Sequence, residues 1–170
     1  MNIFVSHAIK DNALLQQIDT VLNSYGLNLL IAEHYFDSQS TISDKIRNLI
    51  NSCDIGLVLL TENGFNSGFV REEIGHLDAK GKPIILVIEK GFEQKYSGFR
   101  YGHDFVLLDP LNPTITVEKI KKIMLRHWDK LQIEENKLRQ LAAVEQARVN
   151  KNRLIAIGLL AGLFILGANE

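Results

Sequence analysis

The chain has 170 residues, 46% of them hydrophobic, which is enough for one packed domain of ordinary size and a further segment. The formal net charge is -1 at pH 7 and the basic residues are scattered, so we expect no nucleic-acid partner. The single cysteine, Cys53, excludes an internal disulfide and fits a reducing compartment, where a buried thiol acts as a small hydrophobic group.

Short apolar runs alternate with amphipathic segments along the chain. Because residues 1–6 contain neither a basic region nor a long apolar stretch, we expect no signal peptide there. The apolar runs predict strands at residues 3–6, 27–32, 55–60, 84–88 and 105–108. The helical spacing of apolar residues predicts helices at residues 14–25, 42–50, 67–80 and 115–157. Residues 89–103 are predicted as a looser segment, because they contain glycines and no helical pattern.

The third apolar run, residues 55–60, does not alternate with polar residues. Such a strand is typical of the centre of a parallel sheet that is covered on both faces. Strands that alternate with helices indicate an α/β fold, here a five-stranded parallel sheet flanked by helices. Right-handed crossovers bring the loops after all the strands to one edge of the sheet, where ligands bind in open α/β folds.

The last part of the chain is predicted as a long helix followed by a hydrophobic C-terminal helix. We divide the chain into a domain at residues 1–130, a charged helical linker at 131–153 and an uncharged segment at 154–168. The uncharged segment would form roughly 22 Å of helix, against a bilayer core of roughly 30 Å. It would serve as a membrane anchor, as an oligomerisation helix, or as a helix that folds back on the domain. We predict the anchor, because a helix that is apolar all round needs lipid or a bundle around it.

Two adjacent glutamates lie in the helix that begins near Ser67. At about 100° per residue, Glu73 lies roughly 60° from the centre of the apolar stripe and Glu72 roughly 160° away, so only Glu73 borders the core. Phe69 and His76 fall on the same flank as Glu73. The stripe consists of Val70, Ile74 and Leu77.

The chemistry of this helix stays open when the residues alone are considered. Glu73 is either a pocket carboxylate or a boundary residue that hydrogen-bonds to a neighbouring loop. We expect no metal site, because the Glu73-x-x-His76 spacing of di-metal bundles has no second copy here. The sequence also lacks a P-loop, a Gly-x-Ser-x-Gly turn and a Gly-x-Gly-x-x-Gly fingerprint.

Several stretches, taken together, resemble a TIR (Toll/interleukin-1 receptor) domain over roughly residues 1–130. They are residues 4–8, the loop after the second strand, residues 53–61, residues 67–74 and residues 81–85. The resemblance implies a flavodoxin-like five-stranded parallel sheet, in agreement with the pattern of strands and helices.

The resemblance also implies a catalytic residue. In enzymatic TIR domains, a glutamate in a Ser-x-Trp-x-x-x-Glu-like helix start is needed to cleave the bond between nicotinamide and ribose in NAD. The matching segment runs from Ser67 to Glu73, with Phe69 in place of the tryptophan, so the resemblance implies Glu73. It implies NAD+ as the substrate, with no required cofactor.

The resemblance further implies a set of substrate-binding residues. Phe4, Ser6 and His7 would lie on the pocket floor, and the loop at residues 33–41 would form a mobile lid. Lys10 is the nearest substitute for a basic residue that many members carry in the first loop. The implied binding residues are Phe4, Ser6, His7, Lys10, Phe36, Asp37 and Phe69.

The function implied in this way is that of an NAD+ glycohydrolase or cyclase that becomes active on oligomerisation through TIR–TIR contacts. It would belong to prokaryotic antiviral defence or NAD-derived signalling, with partner proteins from the same system. We expect a cytoplasmic domain anchored to the cell membrane by residues 154–168. The alternatives are a non-catalytic adaptor that recruits other TIR proteins and an effector that disrupts membranes through its C-terminal helix.

Overall fold

The computed structural model describes residues 1–32, 41–109 and 112–167, with only the backbone described at residue 113 and at residues 154–167. Five parallel strands form one sheet in the order β2-β1-β3-β4-β5, the order of flavodoxin-like folds. The strands are β1 (Asn2–Ser6), β2 (Asn28–Ile31), β3 (Ile55–Leu60), β4 (Ile84–Glu89) and β5 (Asp104–Leu108). The predicted five-stranded parallel sheet is therefore confirmed, with each strand at its expected place in the sequence.

The central position of β3 follows from its composition. Every residue of β3 is buried, and the strand pairs with β1 on one side and β4 on the other. A strand with this many apolar side chains is stable only when both faces are covered, so its position agrees with its continuous apolar run.

Helices connect the strands and cover both faces of the sheet. They are α1 (Asn12–Ser24), α2 (Ile42–Ser52), α3 (Glu62–Phe65), α4 (Gly68–Ala79) and α5 (Pro113–Gly167), with a short 3-10 turn at Ile9–Asp11 before α1. Hydroxyl groups cap three of the helices: Thr41, Thr61 and Ser67 accept hydrogen bonds from backbone N–H groups in the first turns of α2, α3 and α4. Gly26 and Gly81, with φ of 73° and 62°, follow α1 and α4 in the left-handed conformation that ends a helix.

The two faces of the sheet carry separate hydrophobic cores. Helices α1 and α5 contribute buried residues to one core, together with Ile3 and Val5 of β1. Helices α2 and α4 contribute to the other, together with Phe4 of the same strand. Alternate residues of a strand point to opposite faces, so Ser6 shares the face of α2 and α4 with Phe4.

Two elements differ from the sequence-based expectation. The predicted loop at residues 61–66 contains the short helix α3. The predicted long helix and the separate hydrophobic helix form one continuous helix, α5. Near residue 154 the composition changes from charged to apolar. This changes the polarity of the side chains, but the backbone hydrogen bonds of the helix continue across it.

The chain divides into two compact units, Met1–Trp128 and Asp129–Glu170. The three-part division into residues 1–130, 131–153 and 154–168 stays a prediction. None of the helices in the described part of the chain combines the length and the apolar composition that a membrane span needs. The structure thus gives no support to the predicted anchor, whose side chains lie outside the described residues.

Candidate functional site

A pocket of about 470 Å³ opens beyond the carboxyl ends of β1, β2 and β3. Along the chain the sheet grows from β1 to β2 on one side and then to β3 on the other, which makes this edge the switch point where ligands bind in open α/β folds. The lining residues are His7, Ala8, Ile9, Lys10, Ala32, Ile42, Lys45, Ile46, Asn63, Asn66, Ser67, Phe69 and Glu73. All of them belong to the first compact unit.

Helix α4 places one carboxylate in the pocket wall. Its apolar stripe of Val70, Ile74 and Leu77 is at most 3% exposed, which fixes the rotation of the helix against the sheet. Glu73 lies beside this stripe, is 8% exposed and lines the pocket, whereas Glu72 is exposed to solvent. The burial of the two glutamates follows the helical phase expected from the sequence.

The rest of the wall is mainly apolar, with two cationic side chains. Ile9, Ile42 and Phe69 line the pocket and remain 65% to 75% exposed. Lys10, from the segment after β1, and Lys45, from α2, line the same wall. An apolar cavity with a few polar groups of defined position is typical of a site for a small organic molecule.

The structure brings together four of the residues implied by the resemblance: His7, Lys10, Phe69 and Glu73 line one pocket. His7 is oriented by a hydrogen bond between its Nε2 and Asn12 Oδ1, at 2.8 Å. His76, expected on the same flank as Glu73, lines a second, smaller pocket with Arg47 and Lys80.

Two other implied residues do not line the pocket. Phe4 and Ser6 are 0% and 1% exposed and lie within β1, whereas the wall is formed by the segment that follows the strand. Among the described residues, Ser6 Oγ has no hydrogen-bond partner. Phe36 and Asp37, the predicted lid residues, lie outside the described residues.

A network of buried hydrogen bonds is connected to the pocket wall through Asn63. Asp11 is 6% exposed and accepts two hydrogen bonds, from Thr61 Oγ1 at 2.6 Å and from Asn63 Nδ2 at 2.7 Å. The hydroxyl of Tyr96 donates to the carbonyl oxygen of Thr61 at 2.5 Å. Burial, followed by the nearby carboxylates of Asp11 and Glu89, raises the pKa of Tyr96 well above its usual value. The network ties the loops that follow β1, β3 and β4 to one another.

Sequence reasoning missed several wall residues, including Lys45, Asn63 and Asn66. The two asparagines lie in the loop that follows the central strand. Polar residues at the end of a parallel strand are candidates for a ligand site, so the sequence did contain a signal for Asn63 and Asn66. Lys45 lies one turn after the N-cap Thr41, on a helix for which only the buried stripe was considered. The described residues contain no group of three or more His, Cys, Asp or Glu side chains arranged to hold a metal ion.

Comparison with curated protein sequences found no match. Among solved structures, the Clostridium botulinum CMP N-glycosidase BcmB is 17% identical, with a TM-score of 0.51 over 71% of this chain and 98% of that chain. The TIR domains of the activated Roq1 resistosome that recognises the effector XopQ are 13% identical, with a TM-score of 0.49 over 56% of this chain and 63% of that chain. A TIR domain family model matches residues 3–141, which is most of the chain. The chain therefore belongs to the TIR domain family.

Proposed function

We propose that this TIR protein breaks the bond between nicotinamide and ribose in NAD+. The observation that carries the proposal is the position of Glu73, which is 8% exposed and lines a pocket of about 470 Å³ at the switch point of the sheet. The neighbouring Glu72 serves as an internal contrast, since it lies on the same helix but faces solvent.

The reaction suits a fixed carboxylate. When the bond between C1′ and the pyridinium nitrogen breaks, the electron pair goes to the nitrogen and nicotinamide leaves as a neutral molecule. The positive charge passes to the ribose, and the negative charge of Glu73 stabilises this oxocarbenium-like state. Addition of water and loss of its proton give ADP-ribose, whereas attack by a hydroxyl or ring nitrogen of the same molecule gives a cyclic isomer.

The other wall residues have roles in this proposal that follow from their chemistry. Lys10 and Lys45 offer positive charge to the phosphates of the dinucleotide. Phe69 offers an aromatic face to a base. His7 lines the wall, and Phe4 and Ser6 support it from within β1. Phe36 and Asp37 stay in the proposal as lid residues on the basis of the family resemblance alone.

The direct test is to incubate the purified protein with NAD+, with and without a crowding or clustering agent, and to measure nicotinamide. We expect the Glu73→Gln variant to lower kcat/KM by roughly 10²- to 10³-fold, because the transition-state charge loses its counter-charge. Glu72→Gln is the matched control and should retain activity. CMP belongs in the same assay, since the chain shares the fold of a protein described as a CMP N-glycosidase.

Two outcomes of this assay would contradict the proposal. If the clustered wild type released no nicotinamide, the enzyme hypothesis would be wrong and a TIR adaptor that recruits other TIR proteins would be favoured. If Glu72→Gln and Glu73→Gln lost activity equally, the assignment of the catalytic glutamate would be wrong.

Assembly, location and biological role complete the proposal. Oligomerisation through TIR–TIR contacts would activate the enzyme, and residues 154–168 would hold it at a membrane with the TIR domain in the cytoplasm. The setting would be prokaryotic antiviral defence or NAD-derived signalling with partner proteins. Membrane disruption by the C-terminal segment is the alternative. Membrane-disrupting activity that survives Glu73→Gln but is lost on truncation after residue 152 would favour it.

A further inference from the structure

Asn63 lies in the pocket wall, in the first turn of α3, and within the described part of the chain its side-chain amide hydrogen-bonds to Asp11. Its Nδ2 donates to Asp11 Oδ1 at 2.7 Å. An asparagine amide has a donor end and an acceptor end, and which end faces a neighbour follows from the neighbour's chemistry. Because a carboxylate only accepts hydrogen bonds, the NH2 group must face Asp11. The carbonyl oxygen lies at the opposite end of the amide and is the acceptor that Asn63 can offer to the pocket it lines.

Asp11 is itself held in place, so the amide of Asn63 has little freedom to turn. The second carboxylate oxygen of Asp11 accepts a hydrogen bond from Thr61 Oγ1 at 2.6 Å. Thr61 is fixed twice more, since its Oγ1 accepts from the backbone N–H of Gly64 at 3.0 Å and its carbonyl oxygen accepts from Tyr96. Asp11 and Thr61 are 6% and 4% exposed, so water does not compete freely for these bonds. Asp11 also lies at the N-terminus of α1, where the helix dipole favours a negative charge.

We infer that Asn63 determines ligand specificity in this pocket by presenting a fixed hydrogen-bond acceptor, and that Asp11 is the residue that positions it. The inference rests on the proposed function, and it narrows the class of substrate. The ligand must carry an N–H or O–H donor where it meets Asn63. NAD+ offers such donors in the NH2 of the nicotinamide carboxamide, in the adenine NH2 and in the hydroxyls of its two riboses.

The inference is tested by ligand binding, which does not require turnover. The probe is carbocyclic NAD+, in which a methylene group replaces the ring oxygen of the nicotinamide ribose so that no oxocarbenium-like state forms. We expect Asn63→Ala to raise the Kd of this probe roughly three- to tenfold, the range of one lost hydrogen bond. Alanine leaves room for water to reach Asp11, so the variant should fold.

Asn23→Ala is the matched control. Asn23 Nδ2 also donates to a carboxylate oxygen at 2.7 Å, that of Asp19, but this pair is exposed on α1 and far from the pocket wall. The control should therefore leave the Kd of the probe unchanged. Asp11→Asn should weaken the probe less than Asn63→Ala, because an amide at position 11 permits both orientations of Asn63.

Two further analogues of carbocyclic NAD+ test which donor meets Asn63, and they are measured with the wild type and with Asn63→Ala. One carries a carboxylate in place of the carboxamide, and the other lacks the 2′-hydroxyl of the nicotinamide ribose. The probe that lacks the relevant donor should bind the wild type more weakly and should lose no further affinity in Asn63→Ala. If Asn63→Ala binds carbocyclic NAD+ as tightly as the wild type, the inference is wrong.

The binding experiment tests the inference and the turnover experiment tests the proposed function, so the two can be contradicted independently. Binding of the probe that depends on Asn63, without release of nicotinamide from NAD+, would contradict the proposed function and support the inference. Release of nicotinamide together with binding that is independent of Asn63 would support the function and overturn the inference. Absence of probe binding to the wild type would overturn the inference.

Discussion

Tyr96 shows how one buried side chain makes the stability of this protein depend on pH. The residue is 1% exposed, its ring meets the ring of Phe65 edge to face at 5.5 Å, and its hydroxyl donates to Thr61. Burial raises its pKa, because the phenolate would lose its hydration inside the protein. In the unfolded chain the same hydroxyl titrates near pH 10.

The sign of this dependence follows from the raised pKa. The contribution of Tyr96 is fully present below about pH 10 and is lost as the pH rises toward the folded-state pKa, since only the unfolded chain releases the proton in that range. We expect Tyr96→Phe to lower the free energy of unfolding at pH 7 by about 0.5–1.5 kcal/mol and to reduce its decline above pH 10. Urea denaturation between pH 7 and pH 11 measures both effects.

Cys53 contributes to the alkaline decline with the same sign, so the wild type alone does not isolate Tyr96. Burial raises the pKa of the Cys53 thiol, whose sulfur donates to the carbonyl oxygen of Ile50 at 3.2 Å. The informative quantity is therefore the difference between Tyr96→Phe and the wild type. Parallel curves over the whole pH range would contradict the prediction. Tyr101→Phe, which alters a tyrosine that is 93% exposed, is the control.

At the scale of single residues, the sequence predicted that Glu73 borders the core, because helical phase determines this. It did not predict the contact between Asp11 and Asn63, because that contact depends on the tertiary fold. The phase of one helix separates Glu73 from Glu72, since both belong to the same 3.6-residue repeat. The pair formed by Asp11 and Asn63 joins two loops that are 52 residues apart. Nothing in either loop identifies the other, because the contact exists only once β1 and β3 lie side by side.

At the scale of single elements, two helical glycines that look alike in sequence differ in their surroundings. An added Cβ at Gly64 of α3 would lie 2.7 Å from the backbone carbonyl oxygen of Leu59, which cannot move without disturbing β3. An added Cβ at Gly75 of α4 would meet no atom within 4 Å. Alanine is favoured over glycine inside a helix at both positions, so the steric difference decides the outcome.

We expect Gly64→Ala to lower the free energy of unfolding by about 1–3 kcal/mol through overpacking. Gly75→Ala should raise it by about 0.5–1 kcal/mol through helix propensity. Chemical denaturation of both variants beside the wild type measures the two changes. Equal effects at the two positions would show that the close approach of α3 to β3 does not constrain the chain.

The elements themselves were predictable to different degrees. The five strands were found because each contains a short, continuous apolar run, the pattern of a sheet covered on both faces, although Phe105 and Leu107 of the edge strand β5 are 38% exposed. Helix α3 was missed because its four residues are too few to show a helical repeat. The boundary predicted within α5 followed a change in composition, whereas a helix ends where its backbone hydrogen bonds end.

At the scale of the whole molecule, the two hydrophobic cores are contained in the first compact unit. Among the side chains that the structure describes, Met124 is the last core residue on the long helix, and it is 0% exposed. Beyond it, apolar side chains such as Ile133, Leu138 and Leu141 are 58% to 69% exposed. The unit Met1–Trp128 therefore holds the interactions that stabilise the sheet.

Truncation after Lys130 is the prediction that belongs to this scale. The shortened chain should unfold cooperatively at the same urea concentration as the full chain, because both cores remain complete. The truncation also removes residues 154–168, the proposed anchor. If they anchor the full chain, alkaline carbonate should leave the full chain in the membrane fraction, whereas the truncated chain should appear in the supernatant. A shift to a lower denaturation midpoint would contradict the first expectation, and release of the full chain by alkaline carbonate would contradict the proposed anchor.

The position of the pocket makes ligand binding depend on folding. Its wall draws on segments that begin with His7 and end with Glu73, and these meet only after three strands have paired. A molecule in which these three strands are unpaired would therefore lack the complete wall. Ligand occupancy would report the population with an intact wall, and a bound ligand would raise the apparent stability of the unit by mass action.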